Sequence, residues 1–320
     1  MSTKISTAVD VTDGASSLLA QSCVARLDWS DPKAPSAISR GEPVVLTNCP
    51  LIRKCAGWSF AHLSRQFEGS ERLNVHIASA SASKSLTSNF ERVYASGLNS
   101  DNVSGVEQMS FAEFAAAIKT EINMATHSSD EQPAARQSVR RYCSAQLLKG
   151  RPGAEPSTPL RDSFECCHAG TIEDELREAI DWEWLDAAQA CLQPKSEHSS
   201  RSFIFTSCNV WAGAGGGSTP LHFDALHNFL AQAIGRKRVL LFAPSESWKL
   251  YPYPTVHPKN SYAMVDLRRA EAEAAGRFPA LQRARGIEAS LEAGDVLFLP
   301  RYYWRFVSED AQRTHIERTD

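Results

Sequence analysis

The chain has 320 residues, 42% of them hydrophobic and 22% charged, and a formal net charge of -3. This length is enough to bury a substantial core, and the mixed, nearly balanced charge gives no electrostatic basis for binding nucleic acid. No apolar run approaches the length of a membrane span, no secretory signal opens the chain, and the eight scattered cysteines form no C-x-x-C pair, which predicts a cytoplasmic or nuclear protein with reduced thiols.

The first part of the chain predicts a lead-in followed by a support region. Residues 1–40 are rich in Ser, Ala and Asp and are predicted to form a poorly ordered N-terminal segment. Residues 41–200 are predicted to form a support region of helices and strands. The elements predicted there are a buried strand at Pro43–Thr47 and two helices. The first helix begins at a capping box formed by Ser110 and Glu113, and the second runs from Thr171 toward Trp182.

From about residue 201 the apolar residues recur with a period of two, which predicts strands. The strand candidates are Ser202–Phe205, Asn228–Ile234, Val239–Phe242, Glu288–Leu291, Val296–Leu299 and Tyr302–Val307, with a helical insert at Leu267–Ala275. Helices followed by strands predict an α+β fold. We expect residues 201–320 to form a double-stranded β-helix, the jelly roll of cupins, supported by the N-terminal helices.

The segment Thr219–Asp224 has the composition of a metal site. On an extended chain His222 and Asp224 point to the same face. An imidazole and a carboxylate can hold a divalent metal, and with one more histidine they form the facial triad of non-haem Fe(II) oxygenases. Lys237, fifteen residues after His222, could bind the far carboxylate of a dicarboxylate that chelates the metal. A surface lysine in the turn at residues 235–238 is the alternative.

A third ligand is missing where we expect it, because the chain there reads Tyr302-Tyr303-Trp304-Arg305. A guanidinium has no lone pair to donate, and its fixed charge repels a metal. His315 is a weak third candidate, since it lies ten residues further along and would need a shifted strand register.

Several blocks of the sequence resemble a known family in order and spacing. They are Gly41–Thr47, Arg141–Tyr142, Trp182–Leu185, Thr219–Lys237, Leu250–Pro254, Val265–Asp266 and Gly294–Pro300. On these blocks the chain resembles the JmjC-type, cupin-fold Fe(II)/2-oxoglutarate oxygenases, and within them it is most similar to the asparaginyl hydroxylases that modify hypoxia-inducible factor.

The resemblance implies a role for each matching residue. It implies His222 and Asp224 as iron ligands, Lys237 as the partner of the 2-oxoglutarate C5 carboxylate with Thr219 and Tyr142 hydrogen-bonding the same end, Asn228 near the co-substrate, and Trp211 facing the pocket. The implied cofactors are Fe(II) and 2-oxoglutarate. The implied activity is hydroxylation of a side chain in a protein or peptide substrate, with demethylation left open.

The chain also departs from the family. Arg305 stands where the resemblance places the distal iron-binding histidine, and Ser261-Tyr262 replaces a substrate-contacting Arg-Gln pair. Ser261 and Tyr262 remain candidate substrate contacts, although hypoxia-inducible factor is then not a safe inference. The chain ends at Asp320, so we expect the jelly roll to lack its last core strand, and either a degenerate protein or an unnatural C-terminus would explain this. The oligomeric state stays open.

Two functions are therefore predicted from the sequence. One is an Fe(II)/2-oxoglutarate-dependent hydroxylase of protein side chains, and the other is a catalytically degenerate JmjC-like scaffold that binds a peptide or protein partner without metal chemistry. A third class, a metal-bound sugar isomerase or storage cupin, leaves Lys237 without an explanation.

Overall fold

The computed structural model describes residues 19–66, 73–79, 103–126, 139–149, 179–192, 207–213 and 218–309. Their strands form three four-stranded sheets. In order across the sheet, sheet A contains β1 (Ala20–Cys23), β10 (Gly286–Leu291), β9 (Lys237–Phe242) and β12 (Trp304–Glu309). Sheet B contains β2 (Ala25–Asp28), β3 (Val44–Thr47), β11 (Val296–Leu299) and β8 (Asn228–Ala231). Sheet C contains β5 (Val103–Met109), β4 (Leu73–Ser79), β6 (Val139–Lys149) and β7 (Ser207–Gly213).

Helices lie around these sheets. The α-helices are α1 (Lys33–Arg40), α2 (Phe60–Gln66), α3 (Phe111–Thr126), α4 (Trp182–Ala190) and α5 (Ala270–Ala275), and short 3-10 helices occupy Pro50–Cys55, Pro244–Lys249, Leu267–Arg269 and Pro279–Arg283. Within the described ranges, no helix is both long enough and apolar enough to cross a membrane. The α+β class predicted from the sequence is confirmed by these helices and mixed sheets. Strand β1 is parallel to β10 and β2 is parallel to β3, whereas the other neighbouring strands are antiparallel.

Sheets A and B pack against each other through alternate residues of their strands. Val239 and Leu241 of β9 share one apolar cluster with Val45 of β3 and Leu297 of β11. Because side chains two residues apart lie on the same face of a strand, these residues define the inner faces of the two sheets. The inner face of sheet A therefore carries the odd-numbered residues of β9.

The outer faces are covered by helices. Trp304 and Phe306 of β12 pack with Leu267 and Ala274 of the helical insert, and Phe298 of β11 belongs to a cluster that includes residues of α1 and α4. Sheet C has its own cluster with α3, in which the capping box is confirmed because Ser110 and Glu113 each accept the other's backbone N–H.

Residues 20–40 correct the prediction of a poorly ordered lead-in. Strands β1 and β2 and helix α1 lie there, with Leu19 and Val24 buried, whereas residues 1–18 lie outside the described ranges. The polar composition misled the prediction because these strands gain their hydrogen bonds from β10 and β3, which are remote in the sequence.

The support region, predicted to hold helices and strands, contains three strands that the sequence analysis did not locate. Strands β4, β5 and β6 form most of sheet C, so residues 41–200 contribute a sheet as well as helices. The sequence of β6, VRRYCSAQLLK, does not alternate strictly between apolar and polar residues, so its strand signal is weak. The strand predicted at Ser202–Phe205 and the start of the helix at Thr171 lie outside the described residues, and so does any strand after Glu309.

The remaining predicted elements are confirmed with small shifts of their ends. The strands expected at Val239–Phe242 and Val296–Leu299 are present as β9 and β11, and the helical insert is present from Leu267. Five cysteines of the described ranges are thiols rather than disulfides, as expected: Cys23, Cys49, Cys55, Cys143 and Cys191. Burial raises the pKa of the Cys49 thiol to about 12, so it stays protonated at neutral pH.

Gly286 on β10 offers a test of the packing of sheet A. A Cβ there would lie 2.9 Å from Leu240 Cδ1 and 3.0 Å from Phe242 Cε1. We expect Gly286→Ala to lower the free energy of unfolding by about 1–3 kcal/mol because the core must shift to admit a methyl group. Urea unfolding measures this. Gly57→Ala is the matched control, since nothing lies within 4 Å of the Cβ that it adds, and equal effects of the two changes would contradict the tight packing.

Candidate functional site

The segment Ser218–Asp224 lies beside β12 in antiparallel orientation. Thr219 N donates to Val307 O at 2.8 Å, and His222 and Arg305 exchange backbone hydrogen bonds of 3.1 and 2.7 Å. On its other side Ala263 N donates to Leu221 O at 2.9 Å. Strand β12 and the backbone around Ala263 thus hold the segment along both of its sides.

Arg305 lies directly across from His222. Residues that exchange both backbone hydrogen bonds in an antiparallel pair carry their side chains on the same face, about 5 Å apart at Cβ. On its other side Arg305 pairs with Leu241, whose side chain belongs to the core between sheets A and B. The Arg305 side chain therefore shares the inner face of sheet A.

Asp224 accepts hydrogen bonds from two side chains on a single oxygen. Arg305 Nη2 and Asn228 Nδ2, the latter at 2.9 Å, both donate to Asp224 Oδ2. Burial alone would raise the pKa of Asp224, but the charge and hydrogen bond of Arg305 outweigh it and, with His222 and Asn228, lower the pKa below its ordinary value. Asp224 is a carboxylate at neutral pH, held in an ion pair.

His222 is held in one tautomer. Its Nδ1 lies 2.8 Å from the carbonyl oxygen of Pro220. A carbonyl can only accept, so Nδ1 carries the proton and Nε2 keeps its lone pair. Burial, and then the positive charge of Arg305, lower the pKa of His222 to about 4, which leaves the ring neutral at pH 7. The ring of Tyr262 stacks on the imidazole with centroids 5.5 Å apart.

Lys237 and Thr219 lie on different elements. Lys237 is the first residue of β9 and shares the inner face with Val239 and Leu241. The hydroxyl oxygen of Thr219 accepts a hydrogen bond from Val307 N at 3.1 Å. Part of the hydrogen-bonding capacity of this hydroxyl therefore serves to hold the segment to β12. In the predicted substrate loop, the backbone carbonyl oxygen of Ser261 accepts from Phe223 N at 2.9 Å.

Tyr142 and Trp211 belong to sheet C rather than to sheet A. Tyr142 pairs with Gly213, and Trp211 pairs with Ser144, so both side chains lie on one face of that sheet. Cys143 faces the opposite way, into the cluster with α3. Trp211 is 40% exposed. Their predicted roles toward a co-substrate remain predictions.

The donor set does not fit a three-ligand iron centre. Within the ranges that the structure describes, no third His, Cys, Asp or Glu joins His222 and Asp224 in a group that could hold a metal. The facing position belongs to Arg305, which already bonds to the carboxylate. His315 lies outside the described residues. An imidazole and a carboxylate occupied by a guanidinium are a poor site for iron.

Two other histidines, His227 and His257, make structural contacts. His227 stacks on Phe298 with centroids 5.8 Å apart, and its Nδ1 accepts from Arg301 N at 3.3 Å. His257 Nδ1 accepts from Lys259 N at 3.0 Å within its own loop. Neither histidine is a ligand candidate.

Sequence reasoning missed three contacts of the pocket. These are the carbonyl of Pro220 on His222, the backbone N–H of Tyr302 on the carbonyl of Asp224 at 2.7 Å, and the ion pair of Arg305 with Asp224. The first two are backbone contacts, for which the residue types carry no signal. The third had a signal, since an arginine placed opposite His222 lies within reach of a carboxylate two residues on.

A comparison with protein families decides the fold family. A family model described as a cupin-like domain matches residues 33–317, which is most of the chain. The chain belongs to the cupin-like domain family. Its similarity to individual cupin-like proteins is more local, and matches about a third of the chain.

The similar proteins carry JmjC and demethylase names. The chain is 40% identical over 104 residues to JmjC domain-containing protein D of Dictyostelium discoideum, 38% identical over 99 residues to lysine-specific demethylase 8 of Danio rerio, and 36% identical over 100 residues to the HSPB1-associated protein 1 homolog of Danio rerio. These matches cover 32%, 31% and 31% of this chain and 22%, 23% and 22% of the respective relatives. The special likeness to asparaginyl hydroxylases stays a prediction.

Proposed function

We propose that this cupin-like protein uses a JmjC-type pocket to bind a protein or peptide segment without iron-dependent chemistry. JmjC proteins are in general Fe(II)- and 2-oxoglutarate-dependent oxygenases, and they include the lysine demethylases that this chain resembles in part. The observation that carries the proposal is the ion pair between Arg305 and Asp224.

The ion pair opposes iron in two ways. It places a permanent positive charge on the face that His222 and Asp224 would offer to a metal, and it uses the carboxylate that should be a ligand. Arg305 offers no lone pair in exchange. Removal of even a supporting partner of a ligand typically costs about 10–100-fold in metal affinity, so the loss of a ligand costs at least as much.

Exposed apolar side chains near the pocket support a peptide or protein ligand. Leu226 is 54% exposed two residues after Asp224, and Tyr302 is 45% exposed and bonded to Asp224 through its backbone. Met264, 40% exposed, follows Tyr262, whose ring covers His222. Large apolar side chains clustered at one surface are typical of binding sites. In the proposal Ser261, Tyr262 and Trp211 are further contacts of the bound segment.

A second candidate is the protein hydroxylase predicted from the sequence. The tautomer of His222, which leaves Nε2 free to bind a metal, and the bond from Asn228 to Asp224 favour it, because they orient ligands as a metal site requires. This function would need a third ligand, for which His315 is the weak candidate, and Lys237, Thr219 and Tyr142 would bind 2-oxoglutarate. Demethylation is the alternative outcome that the relatives' names suggest.

Metal titration distinguishes the two candidates. We expect the metal-stripped protein to bind neither Mn(II) nor Fe(II) below millimolar concentration under anaerobic conditions, with or without 2-oxoglutarate, because Arg305 occupies the face that a metal needs. Isothermal calorimetry measures this. Micromolar binding that disappears in His222→Ala would overturn the proposal and favour the hydroxylase, and its loss in His315→Ala would identify the third ligand.

Peptide binding tests the positive half of the proposal. Peptides selected from a random display library on the wild-type protein should lose at least about tenfold in affinity when Leu226 and Met264 are both replaced by Asp, because a charge in an apolar contact is costly. Trp248→Asp is the control, since Trp248 is equally exposed but contacts Arg283, away from the pocket segment. Equal losses in both variants would contradict a peptide site at the pocket.

A further inference from the structure

We infer that the surface around Trp248 binds an acidic segment of a partner protein. This Trp248 surface consists of Trp248 itself, on the 3-10 helix Pro244–Lys249, and of Arg283 and Arg285, which precede β10. The inference does not rest on the proposed function, because none of these residues contributes to the pocket described above.

The geometry of the 3-10 helix fixes the indole of Trp248 at the surface. Residues three apart share a face of such a helix. Ser247 faces inward, where its Oγ accepts from Trp304 Nε1 at 2.8 Å, and Leu250, three residues later, is fully buried. Trp248 follows Ser247 around the helix and points outward, with 57% of its surface exposed. The exposure of this indole is therefore set by the packing of its neighbours.

Two cations lie over the ring of Trp248. Arg283 Cζ is 5.1 Å and Lys249 Nζ is 5.5 Å from the ring centroid. Lys249 is 15% exposed, and Glu246 balances its charge at 2.7 Å. Arg283 is exposed and makes no ion pair with any residue that the structure describes. Because a cation–π contact holds the indole and the guanidinium of Arg283 together, they form one ordered surface with an unbalanced positive charge.

Arg285 adds a second positive charge beside the same helix. Its backbone N donates to Glu246 Oε2 at 2.7 Å, which holds Arg285 next to the helix. Its guanidinium lies against the side-chain amide of Gln21, which is neutral. The carboxylate of Glu246 already balances the charge of Lys249. The Trp248 surface is therefore locally cationic, although the whole chain has a formal net charge of -3.

This combination of groups fits an acidic protein segment. Trp and Arg are enriched among the residues that dominate the energy of protein interfaces. A guanidinium without an acidic partner can accept a carboxylate in a bidentate way, while the exposed edge of the indole accepts an apolar side chain. Nucleic acid fits less well, because a base stacks on a ring face, over which two cations already lie, and a negative chain repels a polyanion.

Peptide selection is the direct test of the inference. Peptides from a random display library are selected on the wild-type protein and then depleted on Trp248→Asp. The depletion removes peptides that bind elsewhere, including any that bind at the pocket. We expect the remaining peptides to be rich in Asp and Glu and to contain a large apolar residue, and their affinity to fall as salt is added. Peptides without an excess of acidic residues, or no peptide that distinguishes the two proteins, would overturn the inference.

Matched variants assign the binding to the Trp248 surface. We expect Trp248→Ala, Arg283→Gln and Arg285→Gln each to weaken the binding of a selected, fluorescein-labelled peptide by about tenfold or more, as fluorescence anisotropy measures. Arg236→Gln is the control, since it removes the same charge from an exposed ion pair with Glu292. Arg236 precedes β9 and Trp248 follows it, so the two lie at opposite ends of that strand. Equal losses in Arg283→Gln and Arg236→Gln would mean only a general attraction of charge and would overturn the inference.

Folding and a competing ligand are controlled in the same assay. Circular dichroism melting identifies a variant that fails to fold, and Arg283→Gln then provides the decision, because Arg283 is exposed and belongs to no ion pair of the described residues. Labelled oligo(dT) is the competing ligand and should bind far more weakly than the acidic peptide at the same salt concentration. Tighter binding of oligo(dT) that is lost in Trp248→Ala would overturn the inference and favour single-stranded nucleic acid.

Discussion

Arg305→His is expected to convert a pocket that does not bind divalent metal into one that does. A histidine at this position lies opposite His222 and shares its face, because the two residues form a hydrogen-bonded antiparallel pair. With Arg305 gone, Asp224 is released from its ion pair and the cationic repulsion ends. Two imidazoles and a carboxylate on one face are the ligand set of a facial triad.

The expected gain in Mn(II) affinity is at least about 100-fold, since a full ligand is added and a fixed positive charge removed. Metal should also stabilise the variant by about 2.7 kcal/mol at a concentration of 100 times Kd. Calorimetry measures the affinity, and metal-dependent thermal unfolding measures the stabilisation. Without metal, Arg305→His should be less stable than the wild type, because Asp224 loses its charged partner.

Two further variants control this experiment. Arg305→Gln removes the charge without adding a strong ligand and should bind Mn(II) far more weakly than Arg305→His. Adding His222→Ala to Arg305→His should abolish the gained binding. If the folded Arg305→His variant does not bind Mn(II), a side chain at position 305 does not reach the metal position that His222 and Asp224 define. The explanation of the missing iron site is then wrong.

Trp304→Ala should be among the most destabilising changes in the described part of the chain. Trp304 is 2% exposed, packs edge-on against Phe223 with centroids 4.8 Å apart, and donates from Nε1 to Ser247 Oγ at 2.8 Å. Removing a buried indole typically lowers the free energy of unfolding by about 3–5 kcal/mol. Because Phe223 stands between His222 and Asp224, the loss should also loosen the pocket. Urea unfolding followed by fluorescence gives the free energy.

The same substitution on the surface provides the comparison. Trp248 is 57% exposed and has Arg283 at 5.1 Å from its ring centroid, so Trp248→Ala should change the stability by less than about 1 kcal/mol. Trp304→Phe keeps an aromatic ring but loses the hydrogen bond to Ser247. Its loss of unfolding free energy should therefore lie between those of Trp304→Ala and Trp248→Ala. Similar losses of unfolding free energy in Trp304→Ala and Trp248→Ala would show that the contacts of Trp304 with Phe223 and Ser247 do not stabilise the β12 side of the pocket.

Local pattern was sufficient for much of the strand-rich part. The short continuous apolar runs Val239–Phe242 and Val296–Leu299 predict strands that are buried on both faces, and β9 and β11 are there. The two-residue spacing of His222 and Asp224 likewise depends only on extended geometry, and the segment is extended along β12. The capping box at Ser110 is a contact within four residues, so it too can be read from the sequence.

Long-range pairing is what local pattern does not contain. Strands β1 and β2 have few large apolar residues, and their place in sheets A and B comes from β10 and β3, which are remote in the chain. The same holds for β4, β5 and β6, whose sheet was not expected.

The sequence by itself determined which chemical groups the pocket can contain: one imidazole, one carboxylate, and an arginine where a further ligand is expected. Only the tertiary structure decided what they do to one another. The register between Ser218–Asp224 and β12 places Arg305 opposite His222 and joins its guanidinium to Asp224. A shift of one residue would have turned the arginine to the outer face, and register depends on burial and pairing across the whole sheet rather than on the residues near the pocket.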